Sequence, residues 1–159
     1  MKLFTVPLKG SLTMLLCGAF FFMGEIQLFA AIAPLSQKQL DEQSELIVSG
    51  RVVAVESKVQ KSKIERTLGI HRDRIYNIKL ELINLHKIPP FEQDLGFKEF
   101  IVVEAWRPAT RIPPLPGPQG HESIPKKGDE VEMYLKWNKA TVLWQPLLPN
   151  GIKVVKKEQ

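Results

Sequence analysis

The sequence predicts a mainly β domain, a small five- to six-stranded barrel that follows an N-terminal signal segment and a short helix. Apolar runs rich in β-branched residues alternate with turn signals over residues 45–156, the pattern of an all-β domain. The first 33 residues have the zones of a secretory signal. The single cysteine, Cys17, lies inside that segment, so we expect the domain to fold through its apolar core without disulfides.

The N-terminal segment has three zones in the order that an export signal requires. Lys2 and Lys9 supply the basic zone, residues 12–23 form an uninterrupted apolar run, and Ala31 and Ala33 offer small residues for cleavage. We therefore predict export to the periplasm or the extracellular space, with a signal peptide at residues 1–33.

An uncleaved membrane anchor is the alternative for the same segment. The apolar run is shorter than the roughly 20 residues that span a bilayer, and Glu25 and Gln27 interrupt its extension. Pro34, however, directly follows the best cleavage site and disfavours cleavage there. Both outcomes stay open. The remaining boundaries are a short helix at 34–44, a barrel domain at 45–156 and a frayed tail at 157–159.

Composition beyond residue 33 limits the function classes. Without cysteine there can be no thiolate nucleophile, cysteine metal site or redox pair. There are 20 basic and 16 acidic side chains in this part, a mild bias toward anionic partners that gives no strong nucleic-acid signal.

The first elements of the domain have clear local signatures. Ser36 and Gln39 have the spacing of a capping box, which predicts the start of the helix at 34–44. Residues 46–56 are β-branched and apolar on both faces, which predicts a central strand. Gly50 inside this strand predicts a bulge, a bend or the close approach of a neighbour.

The later strands are separated by two long connections. Strands are predicted at 74–82, where apolar residues recur with a period of two, and at 100–106, 130–137, 140–144 and 152–155. Residues 57–73 are polar and basic and predict a long hairpin that turns near Gly69. Residues 107–125 contain six prolines and two glycines, which predicts an irregular loop.

The last strands form a predicted meander. A two-residue turn at Asn138–Lys139 places the apolar residues of both strands on one face. In that register Trp137 opposes Ala140, Leu135 opposes Val142 and Met133 opposes Trp144. A tight turn at 149–151 then leads into the closing strand. An immunoglobulin-like sandwich competes with the barrel but usually has seven or more strands, so the barrel is favoured.

Three segments of the sequence resemble small secreted bacterial OB-fold-like domains. They are residues 44–56, the Gly128–Asp129 pair before an apolar hairpin, and the closing segment 149–152. Those domains are similar to the barrel of netrin and tissue-inhibitor-of-metalloprotease modules. The resemblance covers most of residues 44–155 and implies the OB-like barrel. It does not imply protease inhibition, because the inhibitors use an N-terminal cysteine that the predicted mature chain lacks.

The sequence predicts no catalytic residue, cofactor or metal, and we predict that the protein is not an enzyme. It contains no nucleophile elbow, phosphate-binding glycine loop or zinc helix. His71, His86 and His121 are predicted to be solvated loop residues, and Ser49 to lie in mid-strand without a base. Glu130 and Glu132 share a solvated strand face, while Trp137 and Trp144 are assigned to the core.

Two contact surfaces are predicted, the proline-rich loop at 107–125 and the basic hairpin at 58–74, where clustered positive charge raises the local concentration of anions. The candidate residues of the hairpin are Lys58, Lys61, Lys63, Arg66, Arg72 and Arg74. The leading hypothesis is an exported, non-enzymatic binding or interaction module. The alternative is an accessory or structural subunit of an envelope protein complex. The partner stays open between an anionic envelope component and an envelope protein, and a membrane is expected only through a retained signal segment.

Overall fold

A computed structural model describes residues 32–64, 69–90, 99–114 and 120–156. The predicted signal segment falls outside them except for Ile32 and Ala33, and so does the predicted tail at 157–159. The elements are helix α1 (Gln37–Gln43) and strands β1 (Leu46–Lys61), β2 (Ile70–Lys87), β3 (Phe100–Ile112), β4 (Glu130–Asn138), β5 (Leu143–Pro146) and β6 (Ile152–Lys156). Within these ranges the prediction of a mainly β protein with one short helix is confirmed.

The six strands form one sheet that closes on itself. Its order is β1-β2-β3-β5-β4-β6, and β1 also pairs with β4, so five strands complete a ring while β6 lies beside β4. All pairings are antiparallel except β3 with β5, which run parallel and share one bridge pair, Val103 and Trp144. The ring is therefore joined least extensively between β3 and β5.

Strand β1 is central, as its two apolar faces predict. It pairs with β2 on one side and with β4 on the other. The predicted role of Gly50 is also confirmed: the register with β2 shifts beside it, and an added Cβ would lie 2.3 Å from the carbonyl oxygen of Glu81. Only a residue without a side chain allows the two strands to approach this closely.

Alternate residues of the strands fill the interior of the ring. The core contains Leu46, Val48, Val52, Ile78, Leu80, Ile101, Val103, Ala105, Val131, Met133, Leu135, Trp144 and Ile152. Trp144 is buried as predicted, and the half-buried Trp137 meets it edge to face with ring centroids 5.1 Å apart. The opposite face of each strand is the outer face of the ring.

Helix α1 covers part of that outer face. Its capping box is present as predicted, with Ser36 and Gln39 each accepting a hydrogen bond from the backbone of the other. Leu40 packs against Ile47 of β1 and Tyr134 of β4, which are partners in the sheet. With seven residues α1 is short, and within the described ranges there is no helix whose length and apolar character would suffice to cross a bilayer.

The predicted register of the β4–β5 hairpin is wrong. Strand β4 continues to Asn138, the turn occupies residues 139–142, and Trp137 opposes Trp144 rather than Ala140. The Asn138 side chain accepts a hydrogen bond from the backbone N–H of Ala140 at 2.9 Å and so stabilises the longer turn. The observed register differs from the predicted one by an even number of residues, so Trp137 and Trp144 still share a face.

The turn at 149–151 is present but does not make a hairpin. Strands β5 and β6 both pair with the same edge of β4. Residues 147–151 lie between them and interrupt the pairing along that edge. The N–H of Leu147 donates to the carbonyl of Tyr134, and the N–H of Tyr134 donates to the carbonyl of Gly151, both at 2.9 Å. β5 and β6 are thus one interrupted strand.

Three strands are longer than predicted and extend past the core. β1 and β2 remain paired as far as Lys61 and Arg72, and β3 continues beside β2 to Ile112. The prediction of an irregular loop from residue 107 is therefore wrong for 107–112. Pro108 is accommodated because the register shifts beside it, and a bulge relieves the need for a ladder donor. We call this three-stranded extension, residues 57–64, 69–75 and 106–112, the arm.

Candidate binding surface on the arm

The structure brings most of the predicted basic residues together on the arm. Lys58 and Lys61 lie on β1, Lys63 follows in the turn, and Arg72 and Arg74 lie on β2. Lys61 is the register partner of Arg72. The sixth candidate, Arg66, lies outside the described residues. The hairpin prediction is confirmed as far as the paired strands extend.

Strand β3 adds two cations that the sequence analysis assigned to an irregular loop, Arg107 and Arg111. The arm thus carries seven of the 22 basic residues of the chain and only one of its 17 acidic residues, Asp73. The rest of the chain contains 15 basic and 16 acidic residues and is close to neutral. The positive charge of the protein is concentrated on the arm.

The single carboxylate of the arm is already paired. The guanidinium of Arg111 forms an ion pair with Asp73, and both side chains are only 15% exposed. Arg111 also donates to the backbone carbonyls of Arg72, at 2.6 Å, and of Thr110, at 2.9 Å. These bonds hold Arg111 against β2, so the pair fixes the shape of the arm.

A cavity of about 270 Å³ lies beside the arm, on the outer face of the sheet. Ile75 and Trp106, which are register partners on β2 and β3, form its apolar floor. The hairpin end, from Ser62 to Ile64, borders it on one side. The volume is close to the lower end of the range of about 300–1,000 Å³ for small-molecule sites.

Polar groups surround the rim of this cavity. Asn138 and Thr141 come from the β4–β5 turn, and Gln145 comes from β5. The Gln145 amide donates a hydrogen bond of 2.6 Å to the carboxylate of Glu104, across the junction of β5 and β3. Lys61 and Lys63 also line the cavity, as do Asp73 and Glu104, whose carboxylates are already bound by Arg111 and Gln145.

His121 strengthens the same junction of β3 and β5. Its Nδ1 accepts a 3.1 Å hydrogen bond from the backbone N–H of Trp106, and its Nε2 lies 3.0 Å from the carbonyl oxygen of Pro146. This geometry fits a neutral imidazole with its proton on Nε2. Burial lowers the pKa of His121 from 6.5, and the carbonyl hydrogen bonds oppose that effect only in part.

The prediction of solvated loop histidines is therefore wrong for two of the three. His121 is 2% exposed and His71, on β2, is 1% exposed. His86 is exposed, as predicted, although it lies on β2 rather than in a loop. In the described part of the chain, no three His, Cys, Asp or Glu side chains come together in a way that could hold a metal ion.

The expectation that Ser49 has no base nearby is also wrong. Its Oγ lies 2.7 Å from Nε2 of His86, because the longer β2 carries that histidine alongside β1. Acyl transfer also needs donors for a developing oxyanion. A hydrogen bond between these two side chains does not supply such donors, so the pair by itself assigns no reaction.

The predicted solvated face of β4 is half-buried instead. Glu130 is 3.1 Å from Arg51 in an ion pair, and Glu132 accepts a 2.8 Å hydrogen bond from the hydroxyl of Tyr134. These contacts account for both carboxylates as structural groups.

No family model matches the sequence, and no curated protein or solved structure was found that is similar to it.

Proposed function

We propose that the protein is an exported binding module without an activity of its own, and that its ring is an OB-like barrel. A five-stranded, partly open barrel is the architecture of that fold. The closure of five strands and the sparse β3–β5 junction support this assignment. OB-type barrels bind their ligands on the face of strands 2 and 3 and with the loops beside it, which is where the cavity lies.

The concentration of positive charge on the arm is the observation that carries the proposed function. Seven basic side chains against one acidic side chain, in a protein that is otherwise close to neutral, produce a local field that attracts anions. The ion pair between Asp73 and Arg111 leaves six further basic side chains on the described part of the arm. The partner is therefore an anionic component of the compartment to which the protein is exported.

The cavity narrows the chemistry of that partner. Its floor of Ile75 and Trp106 favours an apolar or ring-shaped group, and the amides of Asn138 and Gln145 can donate to its oxygen atoms. Lys61 and Lys63 at the rim would contact its negative charge. An anionic ligand with one ring bound in the cavity fits these groups.

A thermal-shift experiment on the full chain tests this function. The probes are heparin, a neutral dextran and a short single-stranded oligonucleotide, each at low and high salt. A ligand that binds only the folded state raises the Tm. We expect heparin to raise the Tm at low salt and to lose most of its effect at high salt, whereas dextran should have none.

Two triple variants with the same change in net charge locate the binding surface. Lys61→Glu, Lys63→Glu and Arg66→Glu should abolish the shift. The control, Lys38→Glu, Lys127→Glu and Lys156→Glu, changes exposed residues outside the arm and should keep most of it. Equal losses in the two variants would show that only net charge matters and would overturn the proposed surface.

The alternative, a subunit of an envelope complex, is favoured by a different observation. Residues 108–112 of β3 extend past β5, whose one bridge to β3 is at Val103, and past His121, which bonds to Trp106, so within the described structure this strand edge is available to a further strand. Size-exclusion chromatography of native extract separates the two functions. A subunit should elute far above the 18.1 kDa of the chain, whereas a free module should not.

A further inference from the structure

The arm has apolar side chains at its far end as well as cations. Ile70 and Ile112 are register partners there and are 52% and 58% exposed. Val59 is a third exposed aliphatic residue on the arm. Three exposed aliphatic side chains on the arm of a small protein form an apolar patch of the kind that marks an interaction site.

Cations and aliphatic residues share one face of the arm. Arg74 is the register partner of Val59, and Arg72 lies between Arg74 and Ile70 on the same side of β2. This face is the continuation of the ring's inner face, whereas Ile75 and Trp106, which form the floor of the cavity, lie on the opposite face of the sheet.

We propose that this end of the arm docks on the surface of an anionic lipid bilayer. The inference rests on the proposed function, since it names the anionic partner of the arm. Exposed isoleucines gain free energy only by leaving water, and the boundary between headgroups and acyl chains offers an apolar phase. The cations beside them lie at the depth of the headgroups, where each Lys or Arg strengthens binding to anionic lipid.

Two other polyanionic partners fit this face less well. Single-stranded nucleic acid is bound by aromatic side chains on which the bases stack, whereas the exposed apolar residues here are aliphatic. The centre of a protein interface is depleted of charged residues, whereas here cations lie directly beside the aliphatic side chains. A lipid surface uses both kinds of group together.

A single-cysteine label reports docking of the arm separately from any contact of the N-terminal segment. Thr110 is the register partner of Arg72 and lies near Ile112. In the full chain with Cys17→Ser, an environment-sensitive fluorophore is attached at Thr110→Cys or, as the control, at the exposed Lys127→Cys. The probes are vesicles of phosphatidylcholine alone or with about one third phosphatidylglycerol, which supplies the negative surface charge.

We expect the Thr110 label to shift to the blue with anionic vesicles and not with phosphatidylcholine, and the Lys127 label to stay unchanged. Arg74→Gln should weaken the apparent lipid affinity about fivefold. Ile70→Thr with Ile112→Thr, which keeps β-branched residues in both strands, should remove the shift. The matched pair Ile83→Thr and Val155→Thr, exposed outside the arm, should leave it intact.

No shift at Thr110, or an equal shift at Lys127, would overturn membrane docking. The proposed function has a separate readout, because heparin can still raise the Tm in a salt-dependent way when vesicles produce no shift. If heparin does not raise the Tm and vesicles do not shift the Thr110 label, the proposal that the arm binds an anionic partner is wrong.

Discussion

Strands β1, β2 and β3 each contain two regions of opposite character, one in the ring and one in the arm. Ile78 of β2 is fully buried in the ring, whereas Ile70, on the same face of the same strand, is 52% exposed. Hydrogen-bonded pairing continues through both regions. The difference is that β4 and β5 close over the first region and not over the second. Backbone pairing therefore sets the length of a strand, and a facing strand decides whether its side chains form a core.

The largest expected effect follows directly from this difference. Ile78→Ala should lower the free energy of unfolding by about 2–5 kcal/mol, because it leaves a cavity in a closed core. Ile70→Ala, the same substitution in the arm, should change it by about 0.5 kcal/mol or less. Urea denaturation of both variants makes the comparison. Similar losses would mean that the arm has a core of its own.

The ion pairs provide a second and smaller contrast. Asp73→Ala should lower the free energy of unfolding by about 1–3 kcal/mol, since it leaves Arg111 largely buried without its carboxylate. Glu42→Ala removes a pair with Lys38 in which both side chains are exposed, and should change stability by about 0.5 kcal/mol or less. Thermal denaturation distinguishes them, and equal shifts in Tm would argue against a structural role for Asp73 in the arm.

The smallest expected effect is the dependence of stability on pH that His121 causes at the junction of β3 and β5. Burial lowers the pKa of His121 below the 6.5 of an unfolded histidine, so the unfolded state takes up a proton first on acidification. The stability that His121 contributes is complete above about pH 6.5 and is lost as the pH falls from there toward its lower native pKa.

His121→Gln tests this dependence. The variant should be less stable than the wild type by about 1 kcal/mol at neutral pH, because the junction loses ordered hydrogen bonds. That difference should narrow on acidification, since only the wild type loses the contribution of the neutral imidazole. Urea denaturation between about pH 5 and 8 measures it, and a difference that is constant with pH would contradict the assignment of a buried, neutral His121.

Local signals in the sequence predicted the elements that depend on near neighbours. The capping box of Ser36 and Gln39, the central position of β1 and the close approach at Gly50 follow from residue type and spacing alone. Five of the six predicted cations also lie on the arm, because a polar hairpin between two strands keeps its charges on neighbouring segments. These features need no knowledge of the distant chain.

The errors concern contacts between residues distant in sequence. Arg107 and Arg111 were missed because prolines in the same segment indicated a loop, whereas a bulge accommodates Pro108 within β3. The prediction that His71 and His121 are solvated was wrong because they lie against residues distant in sequence, Arg111 for His71 and Trp106 and Pro146 for His121. For the hairpin of β4 and β5 the predicted face was correct and the predicted register was wrong. A period of two in the sequence cannot distinguish registers that differ by an even number of residues.

The sequence by itself determined that this chain is mainly β, that its cations cluster between the first two strands and that no cysteine is available to the domain. These properties follow from the period, the charge and the type of residues that are close together in the chain. Only the tertiary structure decided that β3 joins the arm, that Ile75 and Trp106 floor a cavity and that His121 spans two strands. Each of these depends on closing the ring, which brings distant segments together and replaces water around their side chains with protein.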